Sequence, residues 1–149
     1  MSTLQIRFVT YAEAESALKA VRTAVFQDEQ GVAPELEFDG LDQTAKHVLA
    51  WWDGQPVGTA RWRSLSPTPG QPQVKIERVA VLKAHRGQGW GRQIMLALLD
   101  RLGDEGVTHI KIHAQTPVQA FYERLGFTVT SAVFVEADIP HVVMEYHKL

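Results

Sequence analysis

Arg86-Gly87-Gln88-Gly89-Trp90-Gly91 joins a fixed cation to three glycines, a combination suited to gripping phosphate. Glycine has no Cβ, so its backbone can take positive φ and come close to a ligand. The run follows an apolar strand pattern, Val74–Leu82, and leads into a helical pattern, Gly89–Leu102. The first amides of a helix have no intrahelical acceptor and carry the positive end of the helix dipole. A pyrophosphate placed there answers both conditions. Arg86 adds a cation at the rim.

Other phosphate loops do not fit. A Walker loop needs Gly-Lys followed by Ser or Thr, and none occurs. The dinucleotide fingerprint needs a third glycine at position 92, where Arg92 stands. What remains is Arg-x-x-Gly-x-Gly after Val79-Ala80-Val81. An ordinary glycine-rich strand-to-helix turn would read the same way.

That pattern resembles the pyrophosphate-binding signature of the GNAT superfamily of acetyl-CoA-dependent N-acetyltransferases. Downstream, residues 114–127 resemble the second superfamily signature: a strand end, a short helix carrying Phe121-Tyr122, and a Leu125-Gly126-Phe127 exit. Residues 25–32, His47, residues 57–61 and Ile139-Pro140-His141 are similar to the small bacterial ElaA/YjcF-like branch. The resemblance runs from about Phe8 to Met144. Lys83-Ala84 departs from it, replacing a proline common in the family's turn, and Trp90 stands where a smaller aliphatic residue is frequent.

The resemblance implies acetyl transfer from acetyl-CoA to a primary amine. It puts the pantetheine arm along the backbone of Val79, Ala80 and Val81, and the diphosphate on the amides of Arg86, Gly87, Gln88, Gly89, Trp90 and Gly91. Gln115 and Phe121 fall on the cofactor side, Phe121 as a wall or as plain core. Direct acyl transfer needs a base for the amine, a donor to the carbonyl oxygen and an acid for the departing thiolate. Glu77, two and four residues before Val79 and Val81, is the candidate base. A carboxylate in an apolar strand is costly unless paired or functional, so a salt bridge with Lys75, Arg78 or a neighbouring strand is the alternative. Tyr122, a neutral donor at pH 7, is the candidate acid; a tyrosine packed on the sheet is the alternative. His113 lies close to the second signature. His85 and Lys83 flank the turn, facing either the CoA 3′-phosphate or solvent. No His-x-x-x-His or His/Asp cluster suggests a metal.

The acceptor side is expected to be acidic. No basic residue lies between Arg22 and Lys46, while Asp28, Glu29, Glu35, Glu37, Asp39 and Asp42 all do. Such a wall would steer a cationic amine, a small molecule or a lysine-type peptide, although a charge run is also the mark of a solvated loop. Trp51, Trp52 and Trp62 crowd one hairpin, as pocket lining, core or a dimer surface. A non-catalytic acyl-CoA-binding regulatory module is the rival to an enzyme.

The elements that must position these residues are those of one domain, 1–149. A composition of 45% hydrophobic and 21% charged residues is that of a globular chain. The net charge of −2 implies no nucleic-acid or anionic-membrane partner. The absence of cysteine excludes a thiol nucleophile and disulfides. No leader pattern is seen and no apolar run reaches the ~18–20 residues of a span. A cytoplasmic chain, monomeric or homodimeric, is expected.

Along the chain, Gln5–Val9 reads as a strand, and Thr10-x-x-Glu13 as a capping box for a helix with Leu18, Val21 and Val25 on one face through about Gln27. Residues 28–45 read as irregular with a short helical turn. Lys46–Trp52 and Gln55–Ser64 form a hairpin through Asp53-Gly54. Leu65–Gln73 reads as a flexible connection. The Gly89–Leu102 helix ends at Gly103. Thr108–Ala114 is parallel to Val74–Leu82 through a crossover, Pro117–Leu125 is a helix, and Phe127–Val135 pairs antiparallel with His141–His147. The fold class is α/β (α+β): a mixed, mostly antiparallel sheet with a central parallel pair and helices on both faces.

Overall fold

The computed structural model describes residues 3–65 and 72–147, so most of the expected Leu65–Gln73 connection lies outside the described residues. The chain forms two compact units. The first holds the chain up to Trp62 together with Arg78–Leu98; the second holds Arg63–Glu77 and the chain from Leu99 onward. Strand β4 (Gln73–Val81) and helix α3 (Trp90–Asp104) contribute to both.

In the first unit, β1 (Gln5–Val9) leads into α1 (Tyr11–Arg22). The capping box forms as expected: Glu13 N donates to Thr10 Oγ1 at 3.3 Å, and Thr10 N donates to the Glu13 carboxylate at 2.7 Å. The apolar face continues to Val25, but not as one α-helix. Thr23–Glu29 is π-helical. Side-chain spacing alone does not separate the two, because Val21 and Val25 still meet Ala80. Helix α2 (Pro34–Glu37) is the short turn expected in the irregular stretch. Strands β2 (Lys46–Trp52) and β3 (Gln55–Ser64) have the predicted bounds, and Asp53 and Gly54 both take positive φ, 50° and 75°. β1, β2 and β3 pair antiparallel in sequence order.

Helices cover both faces of this unit's strands. Ala80 packs under Val21 and Val25, with Phe26 and Leu82 beside them. The next residue, Val81, points to the other face, where Ile94 of α3 presses on β3. A Cβ added at Gly58 would lie 2.7 Å from Ile94 Cδ1 and 3.2 Å from Ala80 O. Gly58→Ala is therefore expected to push the Ile94 side chain aside and crowd the Ala80 carbonyl, at a cost of about 1–3 kcal/mol of stability, read by urea denaturation. An unchanged midpoint would show that Ile94 can swing aside freely.

In the second unit, β5 (His109–Gln115) runs parallel to β4, with Gln73 opposite His109 and Ile76 opposite Ile112. A 3₁₀ turn, Thr116–Val118, precedes α4 (Gln119–Arg124). β8 (Ile139–His147) pairs antiparallel with β5, with β6 (Thr128–Val129) and with β7 (Phe134–Glu136). The single strand expected over Phe127–Val135 is thus two. The main chain leaves the ladder at Ser131, whose side-chain oxygen takes the Val143 amide at 2.9 Å in place of a backbone carbonyl.

Both helix exits in this part of the chain are left-handed glycine caps. Gly106, not Gly103, ends α3: it has φ 81°, its amide donates to Gly103 O, and Val107 N donates to Leu102 O. Gly126 repeats the arrangement after α4, with Phe127 N on Tyr122 O. These paired bonds satisfy orphan carbonyls at the helix ends. The strand order among the described residues is β1-β2-β3-β4-β5-β8-β6, with β7 on β8. It is a mixed, mostly antiparallel sheet with one parallel pair, β4–β5.

Candidate functional site

The predicted residues fall into two groups, one in each unit. In the first unit, a 3₁₀ turn (Lys83–His85) leads from β4 to the glycine run. Gly87 and Gly89 have φ 82° and 78°, and a Cβ on either would meet nothing within 4 Å. Conformation, not space, is what calls for glycine there. The first α3 bond runs from Gln93 N to Gly89 O. Among the described residues, the amides from Gly87 to Arg92 donate to no backbone carbonyl. The turn therefore offers a row of unused N–H groups at a helix start.

Side chains fix that row from behind. The Trp90 ring is buried, stacked against His85 at 5.3 Å and packed on Trp52 at 4.8 Å. Trp90 thus presents only its main chain, and His85 is occupied as a stacking partner. Trp62 sits in the core edge-on to Phe8, and Trp51 packs beside the Tyr11–Leu18–Leu49 cluster. Arg86 is not a lone cation: it donates to Val81 O at 2.9 Å and to both Glu29 oxygens at 2.5 and 2.6 Å. Its charge is matched by Glu29, whose carboxyl it holds below the usual range.

The acidic segment is likewise matched. Arg22 grips Glu37 through two nitrogens at 2.6 Å and Asp42 at 2.6 Å. Arg61 holds Asp39 at 2.8 Å and Asp42 at 3.0 Å, and Arg78 reaches Leu36 O, Glu37 O and Asp39. Four of the six expected steering charges, Glu29, Glu37, Asp39 and Asp42, are thus neutralised by arginines from elsewhere in the chain. Sequence reading missed this network because Arg22, at the border of the segment, and Arg61 and Arg78, further along, meet these carboxylates only in the folded chain. The available signal was Arg61, the one charge in the run Val57–Trp62. Arg78 takes φ 55°, which interrupts regular β4 geometry one residue after Glu77.

In the second unit, Glu77 is nearly buried and ion-paired, 2.9 and 3.1 Å from Arg63 and 3.4 Å from Lys75. The salt-bridge alternative is what its contacts display, with Arg63 of β3 and Lys75 as partners. Gln115 ends β5 opposite His141. Phe121 is partly buried, edge-on to Tyr122 with ring centres 5.0 Å apart. Tyr122 is buried, with Phe127 against it at 5.9 Å. Its hydroxyl makes no hydrogen bond to any described residue, and burial pushes the phenol well above the usual tyrosine range. It is a proton-bearing group at neutral pH, without a hydrogen-bond partner among the described residues. His113 Nδ1 lies 3.0 Å from Glu136 Oε1. The structure also gathers His109, Glu145 and His147, a grouping that motif spacing missed because it forms across strands. Among the described residues no helix is long and apolar enough to cross a membrane.

Comparison with known proteins agrees with this architecture. Residues 11–148 match the family model described as "Acetyltransferase (GNAT) domain". The uncharacterized N-acetyltransferase YjcF of Bacillus subtilis is 39% identical over 125 residues, covering 83% of this chain and 86% of YjcF. The crystal structure of an acyl-CoA N-acyltransferase from Pseudomonas aeruginosa superposes with a TM-score of 0.82 at 36% identity, covering 97% of this chain and 99% of that one. Escherichia coli ElaA superposes with a TM-score of 0.84 at 30% identity, covering 97% and 100%. A glycine-shaped helix start, a parallel strand pair beside it in sequence and a family match across nearly the whole length converge: the chain belongs to the GNAT acetyltransferases.

Proposed function

We propose that this GNAT protein is an acetyl-CoA-dependent N-acetyltransferase that moves an acetyl group directly to a primary amine on a small molecule or peptide. The row of unpaired amides from Gly87 to Arg92 carries the reading. Acetyl-CoA supplies the activated acyl group. Gly87, Gln88, Gly89, Trp90 and Gly91 offer main-chain donors to its diphosphate, and the β4 backbone at Val79, Ala80 and Val81 accompanies its pantetheine arm. Gln115 and Phe121 are the further residues proposed to meet the cofactor. Tyr122 gives its proton to the departing thiolate. Glu77 is engaged by Arg63 and Lys75. The acidic segment retains only Asp28 and Glu35 outside the arginine pairs, so long-range steering of a cationic amine loses most of its support. The acceptor is a primary amine without a requirement for extra positive charge.

Calorimetric titration with acetyl-CoA tests this. Micromolar binding is expected for the wild type. Gly89→Ala is expected to bind about tenfold more weakly, because a side chain there forces a left-handed backbone costing about 1–2 kcal/mol. No heat at millimolar acetyl-CoA would overturn the proposal. Binding without CoA release across a broad amine panel would favour the regulatory module instead.

A further inference from the structure

We infer that His113 takes the proton from the attacking amine, with Glu136 and His141 as the residues that orient it. The inference rests on the transferase reading above and gives the amine-activating role to a different residue from the one sequence spacing suggests.

The residues concerned all lie in the second unit. Along β5, Ile110, Ile112 and Ala114 are buried on one face, so His109, Lys111, His113 and Gln115 share the other. Antiparallel pairing puts His141 opposite Gln115 on that same face, and β7 puts Phe134 opposite His141. From β4, Lys75 pairs with Lys111, so Lys75 and Glu77 point the same way. The groups facing His113 are thus Glu136 and Phe134 from β7, His141 from β8, and Lys75 and Glu77 from β4.

These groups leave one nitrogen free. His113 Nδ1 is 3.0 Å from Glu136 Oε1. Burial works against ionisation of Glu136, but the hydrogen bond from His113 and the positive charge around it hold its carboxyl below the usual range. An ionised carboxylate only accepts, so Nδ1 carries the hydrogen of the neutral ring and Nε2 keeps the lone pair. Nε2 has no hydrogen bond among the described residues. Phe134 stands edge-on to the ring at 5.2 Å and limits its rotation. His141 donates from Nδ1 to Ile139 O at 2.6 Å, stacks on Phe134 and lies 3.8 Å from the other Glu136 oxygen. Glu136 is therefore held between two imidazoles. Glu77, by contrast, has its oxygens engaged by Arg63 and Lys75.

In the reaction, the amine nitrogen bonds to the acyl carbon and passes its proton to His113 Nε2. The carbon–sulfur bond breaks, and the thiolate takes the Tyr122 phenol proton. The His113 proton then leaves to solvent, and Tyr122 regains one, so the net products are the amide and the free thiol. A neutral imidazole with one oriented nitrogen is the usual form of a base near pH 7.

Two measurements test this. With spermidine and benzylamine as probe acceptors, His113→Gln is expected to lower kcat about 100-fold and to remove the acidic limb of the pH profile, with acetyl-CoA affinity unchanged by calorimetry. Activity within twofold of the wild type, or a retained acidic limb, overturns the inference. Nitrogen-15 spectra of the wild-type histidines give a readout that needs no turnover. The Nδ1–H tautomer is expected for His113, shifting toward Nε2–H in Glu136→Ala; an Nε2–H tautomer in the wild type overturns the inference. Failure of the wild type to bind acetyl-CoA would instead bring down the transferase reading and this one with it.

Discussion

Tyr122→Phe is expected to lower kcat about 10²- to 10³-fold, with the fold and acetyl-CoA affinity unchanged, since a positioned general acid typically contributes 10²–10⁴. The phenol oxygen has no hydrogen-bond partner among the described residues, so its removal breaks no internal bond. The ring contacts to Phe121 and Phe127 survive in phenylalanine. Burial keeps the hydroxyl protonated across the physiological range, because it favours the neutral phenol. The loss should therefore fall on the chemical step alone. It is checked by steady-state CoA release together with a thermal melt. Unchanged kcat would assign the thiolate's proton to another source; a lowered melting temperature would reveal a structural role for the hydroxyl.

The second large effect concerns stability. Arg22→Ala removes the cation that holds Glu37 and Asp42, both nearly inaccessible to solvent. Breaking a buried pair by deleting one partner costs about 3–5 kcal/mol, because the other charge stays buried. For a chain of this size the melting temperature should fall by on the order of 10 °C. A loss under about 1 kcal/mol by urea denaturation would show that the two carboxylates find other partners. The same network sets the acid limit. Burial opposes ionisation of Asp39 and Asp42, yet arginine hydrogen bonds and charge leave both below the usual carboxyl range. A lowered folded value gives stability that is complete above the unfolded carboxyl range, about pH 4, and is lost as pH falls through the folded value. His47 adds a higher step. Burial holds its imidazole below the usual value, so its contribution is full above about pH 6.5 and declines as pH drops below it.

Local chemistry made much of this fold legible. Thr10 and Glu13 marked a helix start, Asp53-Gly54 fixed a hairpin, and the glycines at 87 and 89 announced a left-handed turn, because each depends on a few adjacent residues. What stayed hidden depends on distant partners. The π-helical turn after Arg22 keeps the apolar spacing of an α-helix. Gly103 and Gly106 are equivalent as letters, and only the bond from Val107 to Leu102 selects the second. Among the candidate site residues, the turn amides could be read from spacing. A salt bridge of Glu77 with Lys75 or a neighbouring strand could be read too, although not Arg63 as the partner; the engagement of Arg86 by Glu29 and of His113 by Glu136 could not, since these pairs lie 57 and 23 positions apart.

Arg78 carries two obligations at one position. Its left-handed φ is awkward for a residue with a Cβ, by about 1–2 kcal/mol, and glycine would relieve that. Glycine would also release the guanidinium that ties down Leu36, Glu37 and Asp39. Selection at this position thus acts on backbone comfort and loop anchorage in opposite directions. The loop would still be moored by Arg22 on Glu37 and by Arg61 on Asp39, so what such a change forfeits is the clasp on the Leu36 and Glu37 carbonyls.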